Sequence, residues 1–322
     1  MDDIHLAENT TFLVTGGAGF IGSNIAQYLL ARGCKVRVLD NLMTGKEENI
    51  ADCTKNKMFS FMRGDIRDAE TCRAACAGVD YVLHQAALCS VPRSVKNPHL
   101  TTDVNVLGTL NMMKAAADCM VKCFVYASSS SVYGDDDHLP KVEEITGTPL
   151  SPYAVSKKTN EYHGHNFYHI YGLPTVGLRY FNVFGPRQDA LSQYAAVIPI
   201  FVKHLLADTP ATIHGDGQQS RDFTFIDNVI QANLKACRAP REAFGRAFNI
   251  GCGTHTTIVA LYEHLCALLG KHIPPNYDPP RQGDVRHSFA NIEKAGTLLG
   301  YTPRFDWKQG LTRAIAWYTH NL

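Results

Sequence analysis

"TTFLVTGGAGFIGSNIAQYLLARG", residues 10–33, decides the fold. Its first half is a β-branched apolar run that stops at paired glycines. Its second half carries apolar residues at helical spacing and ends on Gly33. Between the halves stand Gly16, Gly19 and Gly22. The first permits a tight turn, the second lets backbone approach a pyrophosphate, and the third lets a helix pack on a strand. The start of that helix, with Phe20 and Ile21, then turns its amides toward the phosphates. Glycines also mark plain turns, so the neighbouring segments must carry the rest.

They do. "CKVRVLDN" is a second strand, ending in Asp40 and Asn41, 18 residues beyond Gly22 for the aspartate. A carboxylate there bonds both ribose hydroxyls and repels a 2′-phosphate, which selects NAD over NADP. "FSFMRGDI" is a third strand and delivers Asp65 and Ile66 to an adenine edge; "DYVLHQAA" is a fourth. Long helices are predicted over 101–120 and 151–171, with strands "KCFVYAS" and "PTVGLRYFNVFG" following each. Strand and helix in alternation mean an α/β fold, a doubly wound parallel sheet of Rossmann type covered on both faces. Beyond Gly185, prolines at 186, 199, 210, 240, 274, 275, 279, 280 and 303 shorten the pieces. We expect an NAD-binding domain over 1–185, with "RAFNIG" (246–251) returning to its sheet. A smaller C-terminal α/β substrate domain is expected over 186–322.

Composition excludes several classes. With 322 residues, 45% hydrophobic, 19% charged and a net charge of +1, nothing argues for nucleic acid or a membrane surface. No apolar run approaches 18 residues and the N-terminus is polar, so a cytoplasmic protein is expected. Ten cysteines without tight pairs read as reduced thiols. The histidines, including 163, 165 and 169, lack a matching acidic set, so no metal is expected; Asp135, Asp136 and Asp137 read as a solvated loop.

Chemistry concentrates in "SPYAVSKKTNEY" (151–162), which sets Tyr153 and Lys157 four apart on one helical face. A phenol titrates near pH 10, so it serves as a base at neutral pH only beside a cation, here Lys157. About 24 residues earlier, "ASSSSVYG" ends a strand in four hydroxyls.

The glycine spacing, Asp40, "HQAA" (84–87), "SSSSVYG", the Tyr153/Lys157 pair and "RYFNVFGPRQ" (179–188) together resemble the extended short-chain dehydrogenase/reductases. Within them the chain is similar to the nucleotide-sugar epimerases, over nearly its whole length. The resemblance implies Tyr153, Lys157 and Ser129 as catalytic residues, Ser129 bonding the sugar's O4. It implies that Gly45, Gln85, Ala86, Ala87 and Tyr180 also line NAD. For a UDP-sugar it implies Ser90, Arg93, Ser130, Ser131, Asn182, Ala196, Val197, Arg221, Arg281, Asp284 and Ser288, with both distal arginines on the diphosphate. Dehydratases of the family carry an Asp-Glu pair where Ser130 and Ser131 stand here. Neutral hydroxyls cannot eliminate water, which points to C4 epimerisation through a transient 4-keto sugar with retained NAD. Glucose/galactose enzymes close the sugar pocket with a tyrosine where this chain has Ser288, so UDP-N-acetylglucosamine is the first expectation. UDP-glucuronate and UDP-glucose stay open as alternatives, as does a non-catalytic NAD-binding sensor. The resemblance also implies a homodimer through a four-helix bundle of helices near 101–118 and 152–171.

Overall fold

The computed structural model describes residues 10–189, 196–280 and 285–322. Seven strands form the main sheet: β1 Thr11–Thr15, β2 Lys35–Asp40, β3 Phe59–Arg63, β4 Tyr81–His84, β5 Cys123–Ser129, β6 Thr175–Tyr180 and β7 Arg246–Ile250. Their order is β7-β6-β5-β4-β1-β2-β3, and every neighbouring pair is parallel. Because β1 lies between β2 and β4, the winding reverses at the carboxyl ends of β1 and β4, where an open α/β sheet leaves its ligand crevice. Alternate residues feed the two faces. Phe12 and Val14 join one core with Ile25, Val125 and Phe248; Leu13 joins the other with Val82, Met112 and Phe124.

The crossover helices explain themselves locally. Helix α1, Phe20–Leu30, follows the glycine turn; α2, Ala69–Cys76, starts on Asp68, whose carboxylate accepts from the amides of Glu70 and Thr71. Helix Pro98–Thr102 runs through a π-helical turn, Asp103–Leu107, into α3, Gly108–Asp118. Helix α4, Pro152–Tyr171, is capped by the Ser151 hydroxyl, opens on proline and stops at Gly172, held at φ 69°.

After Gly185 the chain builds short sheets. Ser220–Arg221 lies between antiparallel Thr256–Thr257 and parallel His287–Ser288, and Thr212–His214 pairs with Asn276–Asp278. The segment does not stay apart from the first sheet. β7 returns to pair with β6 as the sequence suggested, and helix Ile226–Ala236 comes back to lie against α1 and β6. The final helix, Trp307–Asn321, is fixed by a capping box between Asp306 and Gln309, and Tyr318 accepts the Gly185 amide at 3.1 Å.

One buried ion pair joins the elements around the site. Arg179 of β6 donates from Nε and Nη2 to the two carboxylate oxygens of Glu161 on α4, both at 2.8 Å, with side chains 4% and 9% exposed. Ser128 of β5 donates to the same carboxylate at 2.6 Å, and Arg179 Nη1 donates to the Glu143 carbonyl at 3.1 Å. Removing one partner strands a buried charge, which costs about 3–5 kcal/mol. Glu161→Gln should therefore lower unfolding stability by about that amount in denaturant titrations; a loss under about 1 kcal/mol would show that the pair does not hold these elements.

Candidate active site

The nucleotide end is shaped by close backbone approach. Gly16 sits at φ 65°, and a Cβ there would lie 2.7 Å from the Ala86 backbone. A Cβ at Gly22 would lie 2.3 Å from the Gly16 carbonyl, so α1 can seat against the β1 turn only as glycine. Asp40 is buried at the end of β2; its carboxylate accepts from the amides of Ala18 and Leu42 at 2.9 and 2.8 Å. Burial raises its pKa, and those two amides oppose the rise. Gly45 faces this carboxylate, where a Cβ would stand 2.9 Å away. Asp65 accepts from Asn41 at 2.8 Å and is paired with Arg67, which holds its pKa at about 2. Tyr180 donates to Gln85 Oε1 at 3.2 Å and accepts from Asn233 at 2.8 Å. His84, buried and neutral with its pKa lowered to about 3 by desolvation, bridges Thr15 and Thr109 and ties β1 and β4 to α3. An open glycine turn beside a buried ribose-side carboxylate fits NAD, with Gly16, Gly19, Gly22 and Asp40 as the residues that would hold it.

The catalytic candidates converge one strand over. Tyr153 and Lys157 lie one turn apart on the buried face of α4, and Ser129 ends β5. Lys157 Nζ stands 5.9 Å from the Tyr153 ring centre and donates to the Ala127 carbonyl at 2.8 Å. Burial pushes the Tyr153 phenol well above its ordinary range; the Cys89 thiol, 3.4 Å from Oη, acts the same way, and the Ser129 hydroxyl opposes both. Sequence reasoning missed Cys89, the one exposed cysteine of ten free thiols, because it lies 64 residues from Tyr153 along the chain. Ser131, expected on the sugar rim, instead directs its hydroxyl to Ser129 Oγ at 3.0 Å. Ser130 follows in the same 3₁₀ turn. Ser90 caps helix Val91–Lys96 by accepting the Arg93 amide.

Of the expected substrate residues, Asn182, Ala196, Val197 and Arg221 line one cavity of about 320 Å³, together with Phe201 and Phe223. Asn182 is held at φ 29°, and its amide donates to the Asp222 carbonyl at 3.3 Å. Ser288 pairs with Arg221 in register, so the two share a face of their small sheet. Arg281 and Asp284 lie outside the described residues. Asp136 corrects the solvated-loop expectation: its carboxylate is buried on Lys141 at 3.0 Å.

A dinucleotide turn beside a Ser-Tyr-Lys set defines an NAD-dependent enzyme of the short-chain dehydrogenase/reductase type. The model of the NAD dependent epimerase/dehydratase family matches residues 12–251, and the chain belongs to that family. It is 39% identical, over 96% of its length and 98% of the relative's, to a putative UDP-glucose 4-epimerase of Methanocaldococcus jannaschii. It superposes with a TM-score of 0.93 on UDP-N-acetylglucosamine 4-epimerase from Methanobrevibacter ruminantium in complex with UDP-N-acetylmuramic acid (35% identity, 98% and 100% of the chains). It superposes at 0.89 on UDP-glucuronic acid 4-epimerase from Bacillus cereus with UDP-glucuronic acid and NAD (32% identity, 97% and 100%).

The Lys157 environment has a price in stability. Burial lowers its pKa from 10.5 to about 8. Below pH 8 the amine is charged in folded and unfolded chains alike, so the fold bears the full penalty, roughly 3 kcal/mol. The penalty fades as pH rises from about 8 toward 10.5. Lys157→Met removes it and forfeits the Ala127 hydrogen bond, about 1 kcal/mol. Thermal melts should show the variant more stable at pH 7, with the gap closing by pH 10; a less stable variant at pH 7 would contradict the buried-cation account.

Proposed function

We propose that this chain interconverts UDP-N-acetylglucosamine and UDP-N-acetylgalactosamine at C4. It works as a UDP-sugar 4-epimerase. The observation that carries the reading is the gathering of Tyr153, Lys157 and Ser129 at the ends of β5 and α4, followed in the same turn by Ser130 and Ser131. Hydroxyls in place of acids leave oxidation and re-reduction as the available chemistry.

Each residue has a task in that cycle. Tyr153 takes the O4 proton and later returns it to the same oxygen. Lys157 stabilises the phenolate by its charge, and Ser129 donates a hydrogen bond at the reacting oxygen. NAD, when bound, supplies the hydride acceptor and donor for C4 and is restored in each turnover. Arg221, in the cavity lining, offers charge to the diphosphate, so UDP stays anchored while the 4-keto sugar turns its other face. The choice of an acetamido sugar rests on Ser288, which shares the face of Arg221 and puts no aromatic ring there.

Proton NMR of the purified protein with UDP-N-acetylglucosamine, UDP-glucuronate and UDP-glucose, without added cofactor, tests activity and choice together. The first should turn over fastest, and Ser288→Tyr should slow it at least tenfold while sparing UDP-glucose. Preference for glucuronate would reassign the pocket; unchanged selectivity in Ser288→Tyr would remove Ser288 as the gate.

We also propose a homodimer. Val95, Leu107, Val155 and Tyr162 stand 63%, 49%, 51% and 62% exposed along the helices from Val91 to Asp118 and on α4. That apolar surface on adjoining helices suits a four-helix bundle with a second copy. Sedimentation should give twice the chain mass for the native protein and a monomer for Val155→Glu; a monomeric native protein would refute this assembly.

A further inference from the structure

The hydrogen bonds around Ser129 have a direction. A hydroxyl offers one proton and two acceptor lone pairs. Ser129 Oγ accepts the Ser131 amide at 3.2 Å and the Ser131 hydroxyl at 3.0 Å. Both acceptor positions are thereby filled from within the 3₁₀ turn that Ser129 caps. Its single proton is left to point out of the turn, and the Ser129 hydroxyl favours the ionised form of the Tyr153 phenol. Ser129 is thus placed to donate to Tyr153, whose hydroxyl also meets Cys89 Sγ at 3.4 Å in a contact where either group can donate. Within the turn, donation runs one way, from Ser131 to Ser129.

We propose that Ser131 is a positioning residue for C4 oxidation: it makes Ser129 a one-way donor, so the O4 proton passes directly to Tyr153 and never through Ser129. The inference rests on the epimerase reading above. In the oxidising step the O4–H bond breaks and the Tyr153 Oη–H bond forms; NAD, when held at the glycine turn, would supply the acceptor for the C4 hydride. In the return step the same bonds reform on the opposite face of C4. A relay through Ser129 requires its Oγ to accept the O4 proton while releasing its own. That needs a free lone pair, and Ser131 occupies both. The arrangement gives Ser129 a fixed task instead. It stabilises charge on whichever oxygen, phenolate or O4, carries it during transfer. Three of the four serines then take separate places: Ser128 on the buried Glu161 carboxylate, Ser129 at the reacting atoms and Ser131 behind Ser129.

Ser131→Ala and Ser131→Thr separate this from a sugar-binding role. The alanine variant keeps the backbone donor and loses the hydroxyl donor. Its kcat should fall about three- to tenfold with KM within twofold of native. The Tyr153 phenolate, read as the 295 nm difference from Tyr153→Phe without substrate, should titrate at higher pH than in the native protein. Ser131→Thr, which retains a hydroxyl, should restore both readouts. A raised KM with native kcat would overturn the proposal in favour of direct contact with the sugar. A native or faster kcat in Ser131→Ala would overturn it in favour of a relay that gains from the freed lone pair. If the native protein converts no UDP-sugar, the epimerase reading fails by itself, and the titration still decides: a phenolate midpoint unmoved by Ser131→Ala would overturn the one-way arrangement.

Discussion

The site depends on the Glu161–Arg179 pair more than on any residue within it. Tyr153, Lys157 and Glu161 follow one another at four-residue steps along one face of α4, so the helix presents two chemical groups and one anchor together. Through Glu161 that face is bolted to Arg179 of β6 and to Ser128, which precedes Ser129 on β5. The Arg179 guanidinium also lies 4.9 Å from the Tyr133 ring centre, just past the serines. An ion pair taken out of water contributes little net stability as a rule, yet its bidentate geometry fixes orientation. Here it sets the angle between the strand that offers Ser129 and the helix that offers Tyr153. Beneath it, the Tyr133 hydroxyl donates to Asn249 of β7 at 2.6 Å, and the Asn249 amide N–H donates to Glu143. The polar layer is continuous from the crevice to the edge of the sheet.

Two different kinds of preorganisation meet in the crevice. At the nucleotide end, backbone does the shaping: glycines remove side chains where a pyrophosphate must approach, and main-chain amides hold Asp40. At the substrate end, side chains of short strands and of the helix starting at Val197 enclose the cavity, with Asn182 held in left-handed backbone conformation at its edge. Rigid backbone suits a cofactor that stays in place across turnovers. Contacts from several short segments suit a nucleotide whose sugar must turn while its diphosphate remains fixed.

Much of this was legible in the residue order. The glycine spacing with Asp40 gave the sheet and its crevice, because both are local consequences of one strand–turn–helix unit. Tyr153 with Lys157 gave the reacting face, because helical spacing is local too. The return of β7 could be read from "RAFNIG", an apolar run between loops. What could not be read was contact between distant segments. Nothing in the residue order pairs Glu161 with Arg179; β6 brings the two together. Cys89 sits in a loop whose course alone carries it to Tyr153. Asp136 was one of three acids in a polar turn, and only the fold shows that Lys141 buries it. Ser131 was read by residue type as a rim hydroxyl; its direction is set by the 3₁₀ turn.

One two-residue strand pair carries a disproportionate burden of information. His287 stands opposite Ser220 and Ser288 opposite Arg221. Since side chains alternate across a strand, Ser288 and Arg221 share one side, while His287 bonds Ser220 on the other at 2.9 Å. A slip of one residue would exchange histidine for serine beside the arginine and change the lining without changing composition. Under the proposed function, sugar choice is an address as much as an identity. A substitution at either position changes that face while Tyr153, Lys157 and Ser129 are untouched.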